Sequence, residues 1–490
     1  MVEQSINWDK PLTFDDDETL LRGFAAIIGD RAITVDPHDM APWCTDWRGR
    51  YHGRARAILS PATTSEVAAL VTLARAHSAT LVPQGGNTGT VGGATPSEAG
   101  TDYIVSLRRM NRIRHVDAVA NSVVAEAGVI LETLHNALLN NDRRFPLSLG
   151  AKGSATIGGL VSTNAGGTQV LRFGTMRSLV LGVEAVLPDG SVFEGLAALK
   201  KDNRGYDLTQ LMIGAEGTLG IVTAASLRLV PAIRDSATAW VGVNSPAIAL
   251  RLLRTMEASS GDAIESFEII DAKSLDAVIA QIPGTRPPLT ARHKWHILID
   301  YVGECAATAL EAMIMAGADT GWIEDAVIAA NSAQSAAFWH IRESLSAAEK
   351  ATGSATQHDL SVPVDAMPDF IALASAAVEA RFSGTTAIAF GHLGDGNVHF
   401  HVRAPRDSDQ ATWRATHGDT ITRFVHDLVI AGGGSISAEH GIGQSLRTEL
   451  VRLSSPARLS ALRAIKSALD PTGIMNPGKL VPLASDIVAA

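Results

Sequence analysis

The chain has 490 residues, 46% hydrophobic and 19% charged, enough for two or three lobes with cores of their own and too apolar for a disordered chain. Its formal charge of −10, from 41 Lys+Arg against 51 Asp+Glu, argues against the clustered basic face that a nucleic-acid backbone requires. Only Cys44 and Cys305 occur, which excludes a disulfide framework, a four-thiolate zinc site and an iron–sulfur cluster and predicts a reducing, cytoplasmic compartment.

The start, MVEQSINWDKPLTFDDDETL, is acidic and lacks the order of a secretory leader and the Arg-rich amphipath of an organelle presequence. No run of 18 apolar residues predicts a membrane span. Residues 1–49 are read as a lead segment. From Ala57 to Val82 the pattern is strand, helix, strand, with Thr63 and Glu66 spaced as a capping box at the helix start. Short strands follow at 103–105, 113–116 and 123–124, then a helix near 130–140. Glycine then dominates 150–174 and recurs in IGAEGTLGIV, 213–222, before a boundary at Pro231. Beyond it, strands at 240–243, 268–270, 297–299 and 323–329 alternate with helices near 246–259 and 304–316, two βαβ-like passes predicting an α+β sheet with helices on one face. The tail from 456 is helical and closes on the turn-rich DPTGIMNPGKL.

The stretch PQGGNTGTVGG (83–93) follows a strand, and its glycines permit positive φ and bare N–H groups that suit a pyrophosphate or an ordinary turn. It matches neither GxGxxG nor GxxxxGK[ST]. The segment 150–174, which lacks the charge of a solvated loop and carries Ser154, Thr156, Ser162, Thr163 and Asn164 among small residues, favours close approach of a large flat ligand. In GHLGDGNVHFHV, Asp395-Gly396 is a hairpin signal that places His392 opposite His399 on one face, with His401 beside His399. Imidazoles about 5 Å apart at Cβ suit one divalent ion or a metal-free cross-strand pair. Glu439, in the polar GGGSISAEHGIG, is the candidate third ligand.

In order and spacing, PQGGNTGTVGG, GSATIGGLVSTNAGGTQVLRFGT and IGAEGTLGIVT resemble the FAD-binding half of the vanillyl-alcohol-oxidase-type flavoproteins. FGHLGDGNVHFHV, SAEHGIG and DPTGIMNPGKL narrow the resemblance to the D-2-hydroxyacid dehydrogenases, within them to the D-2-hydroxyglutarate branch. The resemblance implies an α+β protein: a two-subdomain FAD-binding half over 50–231, an α+β substrate domain with an antiparallel sheet over 232–455, and a C-terminal segment, 456–490, that returns to the flavin.

It assigns dissociable FAD to Pro83, Gln84, Gly85, Gly86, Asn87, Thr88 and Gly89 at the pyrophosphate. For the remainder of the cofactor it assigns Gly153, Thr156, Gly158, Gly159, Ser162, Thr163, Ala165 and Gly166, then Gly220, Ile221 and Val222, with Asn476 from the tail. It implies one divalent metal on His392, His399 and Glu439, zinc first with manganese or iron as alternatives, and His440 as the base. Arg342 would clamp the substrate carboxylate, with Ser346, Gln357, His401 and His440 also lining the substrate. It further implies a homodimer whose electrons pass to a quinone, a cytochrome or an electron-transfer flavoprotein. Three positions depart from the branch, which carries Thr, Lys and Asn where this chain has Ser346, Gln357 and His401. Loss of the lysine predicts preference for a 2-hydroxy acid with an uncharged side chain. A flavin-free metal hydrolase and a flavin-binding protein without turnover are the alternatives from other classes.

Overall fold

The computed structural model describes residues 14–405 and 408–482; the leader reading for residues 1–13 therefore lies outside the described residues. Three larger sheets organise the chain. The first has the order Ile33–Thr34, Ala55–Leu59, Asp102–Ser106, Leu81–Gln84, the last three strands parallel. Parallel neighbours need a crossover, and the helix Thr64–Ala76 supplies it, burying Val67, Leu70, Val71 and Ala74. Thr63 Oγ1 accepts from Glu66 N at 3.1 Å, as the capping pattern predicts, whereas the Glu66 carboxylate takes the N–H of Ala62 at 2.6 Å in place of that of Thr63. The lead segment joins this core: the helix Phe14–Ile28 inserts Leu20, Phe24 and Ile28 beside Tyr103.

The second sheet is antiparallel, in the order Ile113–Asp117, Ser122–Glu126, Ile221–Arg228, Val180–Val186, Val192–Gly195. The glycine-rich helix Ile157–Thr163 packs into its core through Ile157, Leu160 and Val161.

The third sheet has seven antiparallel strands in the order Asp325–Ile328, Ser236–Val243, Trp295–Val302, Ile264–Asp271, Thr386–His392, Asn397–Arg403, Ala355–Ser361. Its first four strands are the two predicted βαβ-like passes, interleaved as a split βαβ pair. The expectation of helices on one face is corrected, because both faces are covered. Pro246–Ser260, Ala306–Asp319, Met367–Arg381 and Gln410–Ala431 lie on one side. Ala272–Gln281, Ser332–Glu343 and Leu345–Thr352 lie on the other, against Trp240, Ile270, Leu298 and Phe390. The reason is legible in the strands: Ile264–Asp271 is buried along its whole length, which a one-sided sheet does not allow.

The tail closes as the resemblance implies. After the helix Pro456–Leu469, Asn476 N donates to Leu81 O at 2.8 Å and Leu480 N to Gly443 O at 2.9 Å. Asp470 holds this turn by accepting from Ile474 N and Met475 N. Among the described residues no helix is long and apolar enough to cross a membrane.

Candidate active site

The histidine hairpin has a different register from the one its sequence predicts. His392 faces Asn397, and Phe390 faces His399. The turn takes four residues, Leu393 to Gly396, because Leu393 is buried in the core of the opposite face and its N–H donates to Phe267 O at 3.1 Å. Gly396 turns the chain at φ +81°, a conformation open to glycine. The slip preserves face parity, since side chains alternate with period two. His392 and His399 remain on one side as diagonal neighbours, their ring centroids 5.7 Å apart.

A carboxylate that the sequence reading passed over orients the first imidazole. Glu268 lies opposite His392 across the strand pair, and its Oε1 sits 2.7 Å from His392 Nδ1. Its Oε2 accepts from Arg342 Nε, also at 2.7 Å. Burial pushes the Glu268 carboxyl up, but the adjacent His392 and Arg342 outweigh it and hold it below the usual range. Burial likewise pushes His392 down, and the Glu268 charge and hydrogen bond reverse this, raising it to about 9. With Nδ1 engaged, His392 Nε2 faces Glu439 Oε1 at 3.8 Å.

A second overlooked carboxylate builds the loop. Asp359 accepts from Glu439 N at 2.9 Å, His440 N at 3.0 Å and Asn397 Nδ2 at 2.9 Å. His440 Nδ1 lies 3.2 Å and His399 Nδ1 3.7 Å from the same carboxylate. Burial raises Asp359, and the charges of His440 and His399 more than offset it, so it is held well below the ordinary carboxylate range. Burial pushes Glu439 up and His399 down.

One ligand atom each from His392, His399 and Glu439 lies within 4.8 Å of the others. Two imidazoles and a carboxylate form a donor set for zinc, manganese or iron. The Glu268 acceptor behind His392 is the outer support that metal-bound imidazoles commonly have. The residues therefore fit a divalent metal.

The glycine segments converge on the same place. Asn87 Nδ2 donates to Pro42 O and Thr45 O, at 3.2 and 2.8 Å, and Gln84 Nε2 to Trp43 O and Ala94 O, at 2.9 and 2.8 Å, fixing 83–89 against the lead segment. A Cβ at Gly86 would meet Ser154 O at 1.9 Å, and one at Gly85 would meet Thr156 Oγ1 at 2.2 Å, so this loop packs directly on the segment of Gly153 and Thr156. Gly158 lies against Ala127, Thr163 Oγ1 donates to Gly159 O, and Gly220 lies against Val186 at the head of the strand carrying Ile221 and Val222. A Cβ at Gly166, next to Ala165, would stand 3.0 Å from Glu439 Oε1, so the glycine-rich segment and the His, His, Glu cluster are neighbours.

Asn476 Nδ2 ties Gly93 O to Glu216 O at 2.9 and 2.7 Å. Glu216 in turn accepts from Ile442 N and Gly443 N, at 2.8 and 2.7 Å, locking IGAEGTLG to SAEHGIG. Gln84 Oε1, Thr156 Oγ1 and Asn476 Oδ1 are buried without a protein partner. Such orphaned acceptors around a glycine-walled cradle fit a polar cofactor.

Of the other predicted substrate residues, His401 is buried on the face of His399, and burial pushes it down to about 3. Gln357 lies opposite His401. Ser346 is exposed on the helix Leu345–Thr352. The premise that Gln357 leaves its end of the site without positive charge is corrected: its Oε1 accepts from Arg48 Nη1 and, at 3.1 Å, from Arg50 Nη2. The boundary drawn at 49/50 separated these arginines, Arg48 in the lead segment and Arg50 at the start of the FAD-binding half, and neither was assigned to the site. Signals for the overlooked carboxylates existed: Glu268 is a charge inside an apolar strand, which demands a partner, and Asp359 sits two residues from Gln357 and shares its face.

A family model described as "FAD binding domain" matches residues 55–195, and one described as "FAD linked oxidases, C-terminal domain" matches 233–480. The fold has a solved counterpart in p-cresol methylhydroxylase, with TM-score 0.78 and 16% identity over 96% of this chain and 98% of that one. Fold and matched domains define an FAD-dependent oxidoreductase, which removes the flavin-free hydrolase reading. The mitochondrial D-2-hydroxyglutarate dehydrogenase of Arabidopsis thaliana is 36% identical over 94% of this chain and 81% of its own. The D-2-hydroxyglutarate dehydrogenase of Xanthomonas citri pv. viticola is 35% identical over 91% of this chain and 94% of its own. The chain belongs to the D-2-hydroxyglutarate dehydrogenase family of FAD-linked oxidases.

Proposed function

We propose that the protein oxidises a D-2-hydroxy acid to the 2-oxo acid, with His392, His399 and Glu439 holding a divalent metal and His440 accepting the hydroxyl proton. The observation that carries this reading is the contact between Glu439 and Gly166, which sets the His, His, Glu cluster against the flavin segment. Bound noncovalently, FAD would supply a hydride acceptor, and a divalent ion held by His392, His399 and Glu439 would supply Lewis acidity.

The chain's own residues orient and deprotonate. Asp359 engages His440 at Nδ1, 3.2 Å away, which fixes the ring and leaves Nε2 to take the proton while the carboxylate stabilises the imidazolium. Glu268 holds His392 and Arg342 together, so one buried carboxylate sets both a metal ligand and the guanidinium assigned to the substrate carboxylate. A quinone, a cytochrome or an electron-transfer flavoprotein would take the electrons. Cys44 and Cys305 are both free thiols, in keeping with a reducing, cytoplasmic setting.

Anaerobic addition of D- and L-2-hydroxy acids to the yellow holoenzyme tests this. Bleaching by the D acids alone is expected. Absence of bleaching by any 2-hydroxy acid would overturn the reading.

A further inference from the structure

The arginines at Gln357 carry an inference about substrate class that rests on the dehydrogenase reading above. Gln357 faces His401 as Asp359 faces His399. The two pairs share a face and stand two residues apart, about 6.6–6.8 Å along the strands. Gln357 Oε1 accepts from both Arg48 and Arg50, so two cations converge on one neutral oxygen. Arg414 stands nearby and donates to Ala355 O at 3.0 Å. Burial and the charges of Arg414 and Arg48 push Arg50 down to about 10, which leaves it a cation near neutral pH.

The nearby carboxylates are committed elsewhere. Asp46 accepts from the backbone N–H groups of Arg48, Arg50 and Tyr51, at 3.1, 2.6 and 2.7 Å, and so shapes the loop that presents the arginines. Asp359 is occupied by Glu439, His440 and Asn397. Glu349 pairs with Arg403 at 2.5 Å. Among the described residues, Arg48 and Arg50 have no carboxylate within ion-pair distance. This is a positive site one strand step from the His, His, Glu cluster, which Asp359 and Asp46 offset only from beyond ion-pair distance.

We propose that Arg48 and Arg50 bind the distal carboxylate of a dicarboxylic 2-hydroxy acid, so that the segment before the first long strand determines substrate class. The reach of such an acid is comparable with that strand step. Three C–C bonds of about 1.5 Å carry an extended five-carbon acid about 4 Å from C2 to C5, and a charge-assisted hydrogen bond of about 2.8 Å spans the remainder. An incoming carboxylate replaces a neutral amide oxygen with a charged, bidentate acceptor, for which planar guanidiniums are suited.

The test compares kcat/KM for D-2-hydroxyglutarate and D-2-hydroxybutyrate in wild type, Arg48→Met, Arg50→Met, the double variant and Arg48→Lys, each with flavin content measured as a check on folding. The dicarboxylate-to-monocarboxylate ratio is expected to fall roughly 10–100-fold in the Met variants, chiefly through KM, with partial recovery in Arg48→Lys. Equal losses on both substrates, or a wild-type preference for D-2-hydroxybutyrate, would overturn the arginine assignment while leaving the dehydrogenase reading intact. Wild-type inactivity on both acids would instead remove that reading and this inference with it.

Discussion

Glu268→Gln separates the scaffold of the site from its chemistry. Glu268 is 1% exposed, and each of its oxygens accepts one bond of 2.7 Å, from His392 Nδ1 and Arg342 Nε. Gln has the same shape but one acceptor oxygen. Its amide group must present N–H to one of the two donors, and Arg342 keeps a buried charge with no carboxylate opposite. Breaking a buried pair from one side costs about 3–5 kcal/mol, and losing the outer acceptor of a metal-bound imidazole weakens metal affinity about 10–100-fold. Urea unfolding reads the first effect, and metal content after dialysis against graded chelator concentrations the second. The flavin, held by other segments, should stay bound. A Glu268→Gln protein with wild-type unfolding and wild-type metal retention would refute the coupling of these three residues.

Four further outcomes follow from the same geometry. Acid precipitation should release FAD to the supernatant, and Gly86→Val, whose Cβ would stand 1.9 Å from Ser154 O, should yield protein without flavin; yellow colour retained in the acid pellet would refute noncovalent attachment. Chelation should abolish turnover with the flavin spectrum intact, and His399→Ala should reproduce it; full activity in metal-free protein would refute the metal's role. His440→Asn should lower kcat by about 10²–10⁴ with metal and flavin content unchanged, and wild-type kcat would exclude His440 as the base. Burial, with His293 near one ring and His426 near the other, pushes His296 down to about 4 and His358 to about 3. Both fall below an unfolded value near 6.5, so their contribution to stability is whole above about pH 6.5 and declines by roughly 1.4 kcal/mol per pH unit for each ring down to about 4 and about 3. The loss of unfolding free energy from pH 7.5 to 5 should be smaller in His296→Gln and His358→Gln than in wild type, and a pH dependence unchanged by either substitution would contradict it.

Local chemistry made much of the fold and site readable. Thr63 before an apolar helical stripe marked the helix Thr64–Ala76, and alternating segments marked the arms of the histidine hairpin. The shared face of His392 and His399 survived a wrong register because a slip that preserves parity leaves every side chain on its own side. The glycine segments announced close backbone approach, and their packing around Thr156 and Glu439 follows from side chains too small to keep neighbours apart.

What sequence by itself determined were properties set within a few residues: element type, turn chemistry, face parity and the kind of ligand that glycine and histidine favour. Tertiary structure decided everything that depends on what lies opposite. Leu393 left the predicted strand arm and joined the turn because a core across the sheet could bury it. Helices cover both faces because burial of the whole strand Ile264–Asp271 requires it. Glu268 and Asp359 became organisers of the site only when strand pairing set them beside His392, His399 and His440. Arg48 reaches Gln357 from 309 positions away in the chain. No local pattern encodes that meeting, because the charge needed opposite a substrate carboxylate can come from any segment that the core brings to the pocket's edge.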